Sequence, residues 1–404
     1  MSKLIAFLCV FMCLVSPYRL FGHAMPELVC LLAIFLQLIR YRRMAIGFSN
    51  GYGIFTAYML FFPAAVSFIT NLPGNYLTSF FPINIIFYFI VICVLLPNIH
   101  YSSVLKYYKI LVYVVVFIFY IQELAYYTLD FRPTFYLPLD LCYEDMDVAD
   151  LSKSRSMIGR SSSVFLEPAH FAQYILPYYC IVVCRNINER ILSKELLLLS
   201  ITLIILQSGS GYLGMLVILF SILSFKNFVP FNIKCVIIIA FVCVICIVAV
   251  FYVDNTFILA ILSRIDEITS LDVKAFGSQS GFLRIWRGYF IYDNLSVIHK
   301  IFGVGIGSFE YVSNLVYIPG VRYEGSFMNG IQTLLVSGGI VGAGLFIMFI
   351  YKICKKMNHA GVLIIICMMA MFFIEHMMFT PKMFLSILVA IAISCKKSNM
   401  LQCQ

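Results

Sequence analysis

The chain has 404 residues, 62% of them hydrophobic and 12% charged, with a mean hydropathy of +0.97. Soluble domains carry about 25% charged residues, so this composition excludes a soluble globular domain and points to a polytopic membrane protein. The net charge of +9 is spread over short turns between apolar runs instead of being gathered on one module, which excludes a nucleic-acid-binding surface.

Apolar runs long enough for a helix to cross about 30 Å of hydrocarbon fall near 4–18, 25–39, 51–70, 81–97, 110–128, 163–183, 195–208, 211–225, 235–253, 327–351, 360–379 and 382–395. The expected fold is therefore all-α: one integral membrane domain over 1–404, with about twelve transmembrane helices and a large extracytoplasmic loop before the last three. The first run resembles a signal peptide, but no small-residue cleavage site follows it, so it reads as an uncleaved span.

Orientation follows the basic residues of the short loops. With the amino terminus inside, Lys3, Arg40, Arg42, Arg43, Lys106, Lys109, Arg185, Arg190, Lys194, Lys226, Lys234, Lys352, Lys355, Lys356, Lys396 and Lys397 are cytoplasmic, and the short outer turns hold only Arg19 and Lys382. Both termini are then cytoplasmic. Two longer loops face out, at 129–162 and 254–326. Most cysteines lie in or beside apolar runs and only Cys142 falls in an outer loop, so no disulfide framework is expected. The CxxC spacing of Cys243 and Cys246 sits in a lipid-facing stretch and reads as small hydrophobes.

The first outer loop has an acidic half (Asp140, Glu144, Asp145, Asp147, Asp150) and a basic one (Lys153, Arg155, Arg160). It reads as a solvated loop, or alternatively as a lid that contacts carbohydrate. Directly after it comes SSSVFLEPAHFAQYILP, in which Glu167 and His170 open an otherwise apolar span and share one helix face, with Pro168 tolerated at the helix start. That places two ionisable groups at the outer mouth, although a glutamate complementing the helix dipole is the bland reading. QSGSGYLG (Gln207–Gly214) either allows close helix approach or offers hydroxyls and N–H groups to an anion or sugar. Glu123 and the Glu375–His376 pair also lie in apolar runs, where quiet pairing inside the bundle is the ordinary expectation.

The large loop carries Arg264, Arg284, Arg287 and Arg322. A helix near 281–293 would put Phe282, Ile285, Trp286, Tyr289 and Phe290 on one face and Arg284 and Arg287 on the opposite one. That pattern predicts a membrane-surface helix with a two-arginine face and an interfacial Trp286. FGVGIGSF (Phe302–Phe309) is glycine-rich but lacks the Lys-Ser/Thr of a phosphate-binding loop. No HExxH, GxSxG or metal-spaced carboxylate cluster occurs, and no cofactor is expected.

In order, FLEPAHFAQY (Phe165–Tyr174), SGSGYLG (Ser208–Gly214), RIWRGYF through FGVGIGSF, and NGIQTLLVSGGIVGAGLF resemble the Wzy-type O-antigen and capsule repeat-unit polymerases, relatives of the O-antigen ligases. The resemblance of layout covers nearly the whole chain. It implies a bacterial inner-membrane glycosyltransferase, independent of metal and nucleotide sugar. Such an enzyme moves a glycan from undecaprenyl pyrophosphate onto another lipid-linked repeat unit at the outer face. Membrane lipid, a chain-length regulator and a flippase are the implied partners. Arg284, Arg287, Arg264 and Arg322 are then the candidate pyrophosphate ligands, since guanidinium groups make bidentate, charge-assisted bonds to phosphate. The related ligases place a His before the span after the large loop, but here RYEGSFMNG has none. Glu324 is the nearest candidate base, with Glu167 and His170 as rivals. The alternatives are a lipid-linked oligosaccharide flippase, which would spread charge through a central cavity, or an O-antigen ligase.

Overall fold

The computed structural model describes residues 1–16, 18–20, 23–40, 51–72, 95, 98–131, 133, 161–224, 280–306, 312 and 328–401. Regular structure there is helical apart from one short antiparallel pairing, Arg19–Leu20 with His23–Ala24. The helices are α1 (Ser2–Phe11), α2 (Met25–Arg40), α3 (Tyr52–Ile69), α4 (Tyr101–Leu129), α5 (Pro168–Glu189), α6 (Lys194–Ile205), α7 (Gly209–Ser224), α8 (Ser280–Asp293), α9 (Val297–Phe302), α10 (Gly330–Cys354), α11 (His359–Met371) and α12 (Pro381–Leu401). Three of them, α3, α4 and α10, are long and apolar enough to cross a membrane. Phe35, Phe68, Phe117, Phe220 and Ile347 are exposed on five different helices. A soluble surface avoids that pattern, and a lipid-facing one is built from it.

Two of the expected spans need correction. The run 4–18 is helical only to Phe11 and continues as turns through Ser16, and the run 360–379 is helical only to Met371. The second has a clear cause: the carbonyls of Phe372, Phe373 and Glu375 are engaged by the start of α10. The expected spans 81–97 (save Leu95) and 235–253, most of both outer loops, Cys142, Cys243 and Cys246 lie outside the described residues.

Contacts sort the helix ends into two layers. At one end, Glu195 of α6 accepts hydrogen bonds from Tyr113 of α4 and Tyr178 of α5, each at 2.5 Å, and pairs with Arg185 of α5 and, at 3.5 Å, with Lys109 of α4. Four donors from two helices thus converge on one carboxylate. Glu195→Ala should lower the stability of the solubilised protein by about 2 kcal/mol, the scale of hydrogen bonds to a charged group. Thermal unfolding in detergent measures it, and an unchanged midpoint would make the cluster a surface decoration.

At the other end, helix α10 is broken. Its interior residue Gly339 has φ 65° and ψ −169°, and the segment from Gly303 to Gly305, directly after α9, docks in the gap as irregular chain. Val304 and Gly305 donate their N–H groups to the carbonyls of Val336 and Ser337, at 3.0 and 2.9 Å. Tyr58 of α3 donates to the carbonyls of Phe302 and Gly338, at 2.8 and 3.0 Å, and Ser67 to that of Val304, at 2.7 Å. Irregular backbone beside apolar helices persists only when its polar groups are satisfied by protein, and here they are. This part of the large loop therefore packs against α3 and α10.

Candidate functional site at the mouth of the bundle

The start of α5 is positioned by the SSS segment before it. Gln122 of α4 accepts from the Ser163 N–H at 2.7 Å and donates to the Ser163 carbonyl at 3.0 Å, while the Ser163 hydroxyl donates to Val115 at 2.6 Å. Glu167 then takes the cap position with Pro168 at the first helical turn, but the Glu167 side chain makes no capping bond. Its carboxylate instead lies 4.0 Å from His170 Nε2, one turn on, and both side chains are part-buried. One turn deeper, Gln173 donates to Ser210 of the SGSG turn at 3.4 Å. A Cβ on Gly214 would stand 2.5 Å from the Leu176 side chain, so the glycine there permits the close packing of α7 on α5.

His170, Gln173 and Tyr174 line a cavity of about 10 Å³ with Cys13, Phe165, Leu385 and Lys382. That is close to the smallest volume that admits one water. Gln173 Oε1 and the Tyr174 hydroxyl are buried and make no hydrogen bond among the described residues. Buried polar atoms without partners are uncommon, so this cavity suits a water or a hydroxyl group. Lys382, at the second position of α12, is the cation the structure brings to His170. Sequence reasoning counted it only as a turn charge.

The first turn of α10 is closed by its neighbours. Asn329 and Gln332 form a reciprocal capping box. Gly330 and Ile331 donate to the carbonyls of Glu375 and Phe372 at 2.9 and 3.2 Å, and the Asn329 amide donates to Phe373 at 2.7 Å. Thr333 on the same turn bonds His376 Nδ1 at 3.1 Å. The Glu375–His376 pair therefore belongs to the connector Phe372–Thr380, not to a membrane span.

Helix α8 packs on α10. Gln332 Nε2 donates to the Ile285 carbonyl and its Oε1 accepts from the Gly288 N–H at 3.3 Å. A Cβ on Gly288 would sit 2.4 Å from Gln332 Cβ, so glycine is what permits the approach. The docked side includes Arg287, 2% exposed, and Ile291, 1% exposed, while Ile285, Trp286, Tyr289 and Phe290 are part-buried. This corrects the expectation of a surface helix whose arginines face outward: Arg287 is on the packed side. The apolar stripe failed as a guide because the Gln332 tether and the absent Gly288 side chain bring Ile291, instead of the stripe, into a small apolar cluster with Val304, Met328 and Val336. Arg284 lies one turn earlier in the backbone of the same helix. Arg264, Arg322 and Glu324 lie outside the described residues.

Glu167 and His170 are thus brought together with Lys382 on α5 and α12, while Arg287 joins α10, and the α11–α12 connector links the two groups. The chain matches no protein-family model, and no curated protein matches it.

Proposed function

We propose that the chain is a multi-pass membrane glycosyltransferase of the bacterial inner membrane that polymerises undecaprenyl-pyrophosphate-linked repeat units of O-antigen or capsule at the outer face. In this reading it has about twelve spans and both termini are cytoplasmic. The observation that carries it is the gathering of Glu167, His170, Lys382, His376 and the Arg287 helix at one end of the bundle, opposite the Glu195 cluster. Cations there suit the departing pyrophosphate, and carboxylate and imidazole suit deprotonation of an accepting sugar hydroxyl. The layered helix ends also support the alternation of inside and outside, since Lys109 and Arg185 share one layer and Glu167 and His170 the other.

Deleting the gene should leave single repeat units on the carrier or acceptor at the outer face, with no long polymer on a gel. Repeat units accumulating only on the cytoplasmic face would establish the flippase instead. Polymer of normal length retained on the carrier, with transfer to the acceptor lost, would establish the ligase.

A further inference from the structure

Two histidines of the described structure make bonds of the same chemical kind and end in opposite states. His299 of α9 is buried, with Nε2 3.0 Å from the Thr70 hydroxyl and Nδ1 2.9 Å from the Ser296 hydroxyl. Thr70 directs its proton to the backbone carbonyls of Val66 and Ser67, so it accepts from Nε2–H, and Ser296 donates to Nδ1. Both nitrogens are used, and His299 is a packing element.

His376 differs at one nitrogen. The Thr333 hydroxyl has a single proton and places it on the Asn329 carbonyl, 3.0 Å away. Toward His376 Nδ1, at 3.1 Å, that hydroxyl is therefore an acceptor, and Nδ1 carries the ring proton. Nε2 is left with its lone pair, and no hydrogen bond reaches it among the described residues. The ring is exposed at the mouth, beside the first turn of α10. The nearby Lys382 ammonium disfavours a positive charge on the ring.

We infer that His376, aligned by Thr333, is the proton acceptor of the site and takes the proton of the attacking sugar hydroxyl on Nε2. This rests on the polymerase reading above. In the step, the acceptor oxygen bonds the anomeric carbon of the donor glycan while the bond from that carbon to the pyrophosphate oxygen breaks. The bonding pair leaves with the lipid pyrophosphate, and the hydroxyl proton passes to Nε2 and then to solvent. Lys382 disfavours the protonated ring, so the proton is released between turnovers.

The test compares His376→Asn, Thr333→Val and Thr333→Ser in the deletion strain, by polymer on a gel beside a blot of the tagged protein. Asparagine keeps a donor to Thr333 and lacks the base, so polymer should fall by about 10²–10⁴-fold at unchanged abundance. Thr333→Val removes the group that sets the tautomer and should reduce polymer, and Thr333→Ser should restore it. Polymer of normal amount in His376→Asn would overturn the assignment while leaving the polymerase reading intact. Normal polymer in the deletion strain without any plasmid would remove the polymerase reading itself. Loss of abundance in step with polymer in His376→Asn would return His376 to a structural role like that of His299.

Discussion

Gly339→Val should leave almost no folded protein, and Gly339→Ala should leave a sharply less stable one. The φ of 65° with ψ of −169° belongs to a region that only glycine occupies without strain, worth about 1–3 kcal/mol by itself. A Cβ there would also stand 2.3 Å from the Ile301 carbonyl oxygen and 2.6 Å from the Gly303 nitrogen, which are backbone atoms that cannot rotate away. Gly303, with φ 84°, faces the same problem from the other side, since its Cβ would meet the Ser337 carbonyl oxygen at 2.2 Å. Either substitution expels the 303–305 segment from the break in α10 and strands the carbonyls it satisfies, so the combined loss is a large share of the roughly 5–15 kcal/mol that holds a domain folded. Gly344→Ala is the control, because a Cβ there meets nothing within 4 Å. Abundance and heat resistance in detergent, compared across Gly339→Ala, Gly303→Ala and Gly344→Ala, measure the difference. Equal behaviour of all three would mean that the broken α10 contributes nothing to the fold.

Arg287→Lys should abolish most polymer, by about 100-fold or more, while the protein remains in the membrane. An arginine that only anchored a surface helix to lipid headgroups would accept lysine at little cost, because a headgroup asks only for charge. At 2% exposure Arg287 is not such an anchor. In the proposed reaction the donor pyrophosphate reaches this planar fork by displacing what covers it on α8, and losing one such preorganised donor carries a cost of that size. Lysine is the informative replacement, since alanine would leave buried partners unpaired and destabilise the fold by about 3–5 kcal/mol. Arg284→Lys, one turn earlier, belongs in the same experiment. Normal polymer in both variants would move the pyrophosphate contacts to Arg264 or Arg322, and polymer lost only in proportion to abundance would make Arg287 a docking residue.

Composition and period by themselves determined that the chain is helical and suited to a membrane, and roughly where most of its helices lie. They can do so because a helix in lipid satisfies its own backbone and must display apolar side chains over a fixed length. The placement of Glu167 and His170 one turn apart at the start of α5 was legible for the same local reason, since Pro168 and the three-residue spacing act within one helix. The capping box of Asn329 and Gln332 was equally local and open to sequence reasoning. What the tertiary structure alone decided is which face of α8 is buried, because that depends on Gln332 reaching Ile285 and Gly288 from another helix. It alone also decided that His376 leaves the apolar run to meet Thr333, 43 residues earlier, and that Lys382 stands beside His170. Charge position along a chain records neither, since a proton's place on a ring is set by whichever hydroxyl the fold brings to it.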